Sequence, residues 1–120
     1  MKSNKITESN KANRNDKVNP KTLTRALRTV KSKVITEDIH AMREIQQEYS
    51  TGIQFALGLG YDTFIKRFRD PRSLTLEDLL NLADITDTDV KLLVEIALNE
   101  AKKNHICRDI SELLPENNND

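Results

Sequence analysis

Residues 51–69 read TGIQFALGLGYDTFIKRFR, and this stretch decides the predicted fold. Its apolar residues recur at helical spacing on both sides of Gly58, and Phe64 and Phe68 lie four positions apart. Glycine adopts the left-handed conformation that ends many helices, so Gly58 predicts a tight turn between two short helices. We expect the two helices to meet along an apolar seam of Ile53, Leu57, Leu59, Phe64 and Phe68.

The segments around this pair also show helical spacing, and none alternates with period two for long enough to predict a strand. The sequence therefore predicts an all-α fold, a compact bundle of about five or six short helices that contains a helix-turn-helix. We expect Asn19 with Pro20 to start the first helix and Thr36 to cap the start of the second. Thr51 caps the start of the third helix and Gly58 ends it, and the fourth helix runs from Tyr61 to about Arg69. Thr75 with Asp78 starts the fifth helix, and Asp87 or Thr88 starts the sixth.

The other helices carry apolar residues that we expect in the core. These are Leu23, Leu27 and Val30 in the first helix, Ile39, Met42 and Ile45 in the second, Leu76, Leu79, Leu80, Leu82 and Ala83 in the fifth, and Val90, Leu93, Val94, Ala97 and Leu98 in the sixth. The last apolar residues fit either a short turn of helix or a tail that packs against the domain: Ile106, Ile110, Leu113 and Leu114.

The composition indicates one small domain with polar extensions, since 37% of the 120 residues are hydrophobic and 32% are charged. We interpret 1–18 as a disordered basic arm, 19–114 as the helical domain with its helix-turn-helix at about 51–69, and 115–120 as a disordered tail. The lone Cys107 excludes an internal disulfide, and no apolar run is long enough to cross a membrane. The chain start lacks the apolar core of a secretory signal, so we expect a cytoplasmic protein.

The formal net charge of +0 hides a gradient along the chain. Residues 1–45 contain 11 Lys and Arg against 5 Asp and Glu, whereas residues 81–120 contain 4 against 9. A basic end of this kind indicates contact with a polyanion, and polar tails that vary freely in charge explain it equally well. Within the first helix, the cations that lie mostly off the apolar stripe are Lys21, Arg25, Arg28, Lys31 and Lys33.

A helix-turn-helix at 51–69 indicates DNA binding, because its second helix projects from the surface while the first braces it. Tyr61 and Thr63 can exchange hydrogen bonds with base edges in a major groove, and Asp62 can accept one from a cytosine amino group. Phosphate contacts, which set the register of a protein on the duplex, are expected from Lys66, Arg67, Arg69 and Arg72.

The run LGLGYDTF at 57–64, followed by FRDP at 68–71, resembles the helix-turn-helix of the lambda-repressor-like (Cro and XRE) family. More narrowly, it is similar to small members of that family on Bacteroidetes genomes and mobile elements. The run SLTLEDLLNLA at 73–83 resembles the next helix of the family, and 87–97 resembles the one after it, so the likeness covers about residues 50–100. The resemblance implies a recognition helix that starts at Tyr61, with four groove-facing residues: Tyr61, Asp62, Thr63 and Lys66.

The leading hypothesis is a sequence-specific DNA-binding protein that acts as a transcriptional regulator on double-stranded DNA. One short recognition helix contacts few base pairs, so we expect a homodimer on a two-fold site. Its candidate surfaces are 88–103 and 106–114, which carry more apolar residues than one small core needs: Leu92, Ile96, Ile106, Ile110 and Leu114. The alternative is a protein-interaction module, antitoxin-like or a phage adaptor, that keeps the fold without binding DNA. Zero net charge and Asp62 favour this alternative.

Catalytic and metal-binding chemistry is weakly indicated. His40 and His105 lie far apart in the chain, and His105 with Cys107 lacks the further ligands that a zinc site needs. Acidic residues such as Glu77 and Asp78 lie near helix starts and fit helix capping better than acid–base catalysis. We therefore predict no enzyme activity, no cofactor, no metal site and no small-molecule substrate.

Overall fold

The computed structural model describes residues 18–115, and over this range the chain is all-α, as predicted. Six α-helices share one hydrophobic core, and two short 3-10 helices, Pro71–Ser73 and Ile110–Leu113, follow the fourth and sixth of them. The α-helices are α1 (Pro20–Ile35), α2 (Met42–Glu48), α3 (Ser50–Leu57), α4 (Tyr61–Arg69), α5 (Leu76–Thr86) and α6 (Val90–Lys103). None of the helices in this range is long and apolar enough to pass through a membrane.

The core receives apolar side chains from all six helices. Its largest fully buried members are Val30, Met42, Ile45, Ile53, Phe64, Phe68, Leu82 and Leu93. The rings of Phe64 and Phe68 form a tilted pair with centroids 4.8 Å apart, a geometry that stabilises aromatic contacts. Ile53 and Leu57 are buried in the same cluster as these rings, and Leu59 packs against it. Helix α4 packs mainly on α2 and α3 packs mainly on α5, α2 and α1, so a direct seam between α3 and α4 is not confirmed.

Three leucines that the sequence places in the core are exposed instead. Leu76 and Leu80 of α5 are 74% and 52% exposed, and Leu98 of α6 is 50% exposed. A helix turns only one stripe towards a core, and on α5 the buried stripe follows Leu79 and Leu82. The apolar run of α5 is wider than this stripe, so Leu76 and Leu80 lie one turn apart on its flank.

The connection between α1 and α2 differs from the prediction. A helix capped by Thr36 is wrong: Thr36 ends α1, and its hydroxyl donates to a carbonyl in the last turn of that helix, 3.0 Å away. Glu37 then adopts a left-handed conformation with φ 63°, which interrupts any helix at this point, and α2 begins only at Met42. Ile39 and Ile45 are nevertheless buried, as expected.

The predicted caps of α1 and α5 are confirmed. The side-chain oxygen of Asn19 accepts the backbone N–H groups of Lys21 and Thr22 at 2.9 and 3.1 Å, and Pro20 occupies the first turn. Thr75 and Asp78 form a reciprocal capping box at the start of α5. By contrast, α6 is capped by Asp89 rather than by either of the two residues predicted for it.

Tyr49 ties the start of α1 to α3. Its hydroxyl accepts the backbone N–H of Asn19 at 2.9 Å, and its ring covers Gly52. Helix α3 begins at Ser50 with Tyr49 as its N-cap, so the cap predicted at Thr51 is wrong. A Cβ at Gly52 would overlap the Tyr49 ring and lie 3.1 Å from a methyl group of Leu23, so this position in α3 has no room for a side chain.

We expect Gly52→Ala to lower the free energy of unfolding by about 1–3 kcal/mol, although alanine is the better helix former, because the new methyl group displaces Tyr49. Gly60 provides the matched control, since a Cβ there meets nothing within 4 Å. Gly60→Ala should change stability by no more than about 0.5 kcal/mol. Urea unfolding followed by circular dichroism measures both, and equal effects would contradict this account.

Lys31 and Asp87 join α1 to the turn between α5 and α6. Asp87 ends α5 in the left-handed conformation with φ 55°, and its carboxylate lies 2.7 Å from the Lys31 ammonium. The hydrogen bond from Lys31 and its charge hold the pKa of Asp87 below its ordinary value of 3.8. The folded protein therefore favours the ionised carboxylate, and this contribution to stability is present above the ordinary pKa and is lost as the pH falls below it.

Asp87→Asn tests this pair, because asparagine tolerates the left-handed conformation but carries no charge. At neutral pH the variant should be less stable than the native chain, by a small margin because both groups are exposed. The difference should shrink as the pH falls below the ordinary pKa of 3.8 and through the lowered pKa of the native carboxylate. In a Lys31→Met background the substitution should have no effect at either pH; a persistent difference there would refute the pairing.

Candidate nucleic-acid interface

Helices α3 and α4 are joined by the three residues Gly58, Leu59 and Gly60. Gly58 is left-handed with φ 70°, as predicted, and its N–H donates to the carbonyl of Phe55 at 3.1 Å. The side-chain amide of Gln54 donates to the carbonyl of Leu59 at 3.1 Å, while the N–H of Leu59 donates back to the Gln54 carbonyl at 3.3 Å. These reciprocal bonds hold Leu59 against the end of α3.

Helix α4 has a buried side and an exposed side. Phe64 and Phe68 are fully buried and hold the helix on the core. Asp62, Lys66 and Arg69 follow one another at helical spacing of four and three residues, and all three are exposed. Neither Lys66 nor Arg69 makes an ion pair within residues 18–115. The exposed side therefore carries two cations that are available to a ligand.

The residues predicted to contact bases, Tyr61, Asp62 and Thr63, lie in the first turn of α4. Tyr61 is the first residue of the helix and its side chain is 62% exposed, whereas Thr63 is half-buried. Gly60 provides no side-chain cap, so none of the N–H groups of this turn is occupied by a capping side chain. Such N–H groups attract anions, although the carboxylate of Asp62 in the same turn opposes this.

Arg67 is predicted to contact phosphate, but in the structure its guanidinium is paired with the carboxylate of Asp78. Its guanidinium nitrogen Nη1 lies 3.0 and 3.1 Å from the two carboxylate oxygens of Asp78. The Asp78 side chain is only 6% exposed and also accepts the N–H of Thr75 at 2.9 Å. Arg67 therefore links α4 to the first turn of α5, and a phosphate would have to compete with a buried carboxylate for it.

Arg72 lies just beyond α4 in the 3-10 helix and also has an acidic neighbour. Its Nε donates to Asp70 at 3.1 Å, and its backbone N–H donates to the same carboxylate at 3.2 Å. The hydrogen bond from Arg72 holds the pKa of Asp70 below its usual range. Asp70 therefore stays ionised at neutral pH and offsets part of the positive charge at this end of α4.

A second group of exposed cations lies on α1, in the basic first part of the chain that, by the sequence prediction, adds phosphate contacts to those of α4. Lys21, Arg25 and Arg28 line a shallow surface groove of about 380 Å³ and form no ion pair with any residue in 18–115. Lys31 and Lys33, further along the helix, are paired with Asp87 and Glu48. The first three cations lie at helical spacing opposite the apolar stripe, as the sequence predicted.

The groups considered for metal binding lie apart from α4. His105 and Cys107 are exposed beyond the end of α6, and His40 is exposed in the loop before α2. Within residues 18–115, no group of three or more His, Cys, Asp and Glu side chains is placed to hold a metal ion.

Arg67→Ala should lower the free energy of unfolding by about 2 kcal/mol, because it leaves the buried carboxylate of Asp78 without its cation. Arg69→Ala removes the same charge from the same helix at an exposed position and should change stability by less than about 0.5 kcal/mol. Thermal and urea unfolding compare the two variants. If they are equally stable, the Arg67–Asp78 pair does not hold α4 in place.

Comparison with known proteins gives no relative from which a function could be transferred. No protein-family model, no curated protein and no solved structure matches the chain. The resemblance of residues 50–100 to lambda-repressor-like proteins remains an expectation from sequence. Any function assigned to the chain therefore rests on the arrangement of α3, α4 and α1.

Proposed function

We propose that the protein binds double-stranded DNA through α4, acting as a sequence-specific transcriptional regulator. In this proposal α3 and α4 form a helix-turn-helix, and α4 enters the major groove as the recognition helix. The observation that carries the proposal is a short helix whose inner side is buried in the core and whose outer side is exposed to solvent. Phe64, Phe68 and Arg67 hold it, and the outer cations Lys66 and Arg69 remain unpaired within the described chain.

The division of roles follows from the exposure of each side chain. Tyr61 and Asp62 reach out from the first turn of α4, where a recognition helix meets base edges, and the half-buried Thr63 flanks them. Lys66 and Arg69 lie on the outer side and contact phosphates. Arg72 contacts phosphate as well, through the guanidinium N–H groups that do not donate to Asp70. Arg67 positions the helix and makes no direct contact with DNA.

The cations of α1 add a second phosphate-binding surface to the proposal. Lys21, Arg25 and Arg28 are free of ion pairs within residues 18–115, and they follow the strongly basic start of the chain. Phosphate contacts of this kind supply affinity without reading sequence and make binding strongly dependent on salt. They therefore compensate for a net charge of zero, which gives no overall attraction to DNA.

Fluorescence anisotropy with a labelled mixed-sequence duplex over a series of salt concentrations tests the proposal. The informative variant is Lys66→Ala with Arg69→Ala, which leaves the Arg67–Asp78 pair intact. Its matched control is Lys91→Ala with Lys102→Ala, which removes the same two charges from exposed positions on α6. Both double variants have the same net charge, so a difference between them reports on location alone.

The α4 variant should bind more weakly than the native chain, and the slope of log affinity against log salt should fall by about 2, since each phosphate contact contributes about 0.9. The α6 variant should keep the native slope. Absence of binding by the native chain at low salt would overturn the proposal, and so would equal loss in both variants. If binding is confirmed, selection of preferred duplexes with Tyr61→Phe and Asp62→Asn then tests base reading.

A protein-interaction module is the second candidate, and exposed apolar side chains favour it. Phe55 of α3 and Tyr61 of α4 are 44% and 62% exposed, and Leu76 and Leu80 of α5 are more than half exposed. Surface aromatic and aliphatic groups of this size are typical of protein contacts. If the native chain does not bind DNA at low salt, the next experiment should look for a protein that binds these residues.

A further inference from the structure

The two elements that flank α4 both lie against α6. Helix α4 packs mainly on α2 and on the 3-10 helix Pro71–Ser73 that follows it. Helix α6 packs on that same 3-10 helix and also contacts α2. It is not itself among the main neighbours of α4, so any influence of α6 on α4 passes through these two elements.

A carboxylate in the last turn of α6 contacts α2 directly. The N–H of Met42, the first residue of α2, donates to Oε1 of Glu100 at 2.8 Å. The other carboxylate oxygen of Glu100 lies 3.9 Å from Nη1 of Arg43, and the side chain is only 12% exposed. The first N–H groups of a helix have no partner within it, so Glu100 provides a cap for α2 from another helix.

Helix α2 has little else to fix its start. It is seven residues long, and Ala41, which precedes it, provides no side-chain cap. A helix this short is unstable by itself in water, so its position depends on tertiary contacts. Met42 and Ile45 are fully buried in the same cluster as Phe64 and Phe68 of α4. Since a close-packed core transmits displacements, a shift of α2 should also displace α4.

The same carboxylate lies beside the end of α4. A small surface pocket of about 170 Å³ is lined by residues 69–72 on one side and by Glu100, Ala101 and Asn104 on the other. Neither Arg69 nor Arg72 forms an ion pair with Glu100. Glu100 therefore lies where α2, α6 and the segment that ends α4 come together.

We propose that Glu100 is a positioning residue for the DNA-binding surface. By capping α2 from α6, it fixes the support on which α4 is presented to the major groove. The inference rests on the proposed function of α4 and adds to it a residue that makes no contact with DNA. Its role depends on the reach of the side chain and on an acceptor oxygen rather than on charge, because the cap is a hydrogen bond to a backbone N–H.

Variants of Glu100 separate reach from charge. Glu100→Ala removes the acceptor, Glu100→Gln keeps an acceptor oxygen at the same distance without the charge, and Glu100→Asp keeps the charge on a shorter side chain. Glu95→Ala is the matched control, because it removes the same charge from an exposed position on α6 that forms no ion pair within residues 18–115. Circular dichroism and urea unfolding identify conditions in which every variant is fully folded.

Amide proton–nitrogen correlation spectra of the full chain without DNA report on the position of α4. Glu100→Ala and Glu100→Asp should shift the amide resonances of residues 61–69, whereas Glu100→Gln and Glu95→Ala should leave them at their native positions. Native α4 resonances in Glu100→Ala would overturn the proposal. So would a Glu100→Gln spectrum that resembles Glu100→Ala, because the charge and not the cap would then be responsible.

Anisotropy with the duplex selected by the native chain, and with a scrambled duplex of the same composition, measures the effect on sequence reading. Glu100→Ala should lower the ratio of the two affinities about 10-fold. Its affinity for the scrambled duplex should stay within about 2-fold of native, since flexible Lys and Arg side chains still reach phosphates. Glu100→Gln should restore the native ratio. Equal loss on both duplexes would indicate a merely destabilised chain and would refute positioning.

Failure of the positioning role and failure of the proposed function give different results. If the native chain binds no duplex, the function fails, and the spectra without DNA still decide whether Glu100 holds α4. If the native chain binds and discriminates but Glu100→Ala discriminates equally well, the positioning role fails and the function stands.

Discussion

The buried carboxylate of Asp78 is the constraint on which the arrangement of the candidate site depends. It closes the capping box with Thr75 at the start of α5 and accepts the guanidinium of Arg67 from α4. A carboxylate that is 6% exposed needs these partners, since an unpaired buried charge is strongly destabilising. One side chain thus sets both where α5 begins and how α4 lies against it, and the outer side of α4 is positioned as a result.

Much of the fold could be predicted because its signals are local. The left-handed turn at Gly58, the buried pair Phe64 and Phe68, and the capping box at Thr75 each follow from residue types at short spacing. The start predicted after Thr36 failed because the same hydroxyl can cap either end of a helix. Only the neighbouring Glu37, held in a left-handed conformation by the folded chain, decides between them.

The candidate site was harder to predict because its cations differ only in their partners. Lys66, Arg67 and Arg69 lie within four residues, and spacing alone does not reveal that the middle one meets Asp78, eleven positions away. On α1, likewise, Lys31 is paired across the fold with Asp87 while Arg28, three residues earlier, forms no ion pair within residues 18–115. The equal numbers of acidic and basic residues therefore conceal which charges are neutralised and which remain available.

The exposed chain after α6 is accessible to proteases. Lys102, Lys103 and Arg108 are exposed, as are all residues from 102 to 115, so a trypsin-like enzyme can bind the backbone there without unfolding the core. Cleavage after Lys103 would release the chain that follows α6 and leave the six helices intact. In a cell, such a cut would convert one molecular species into another with the same six helices but without the exposed side chains of Ile106, Ile110 and Leu113.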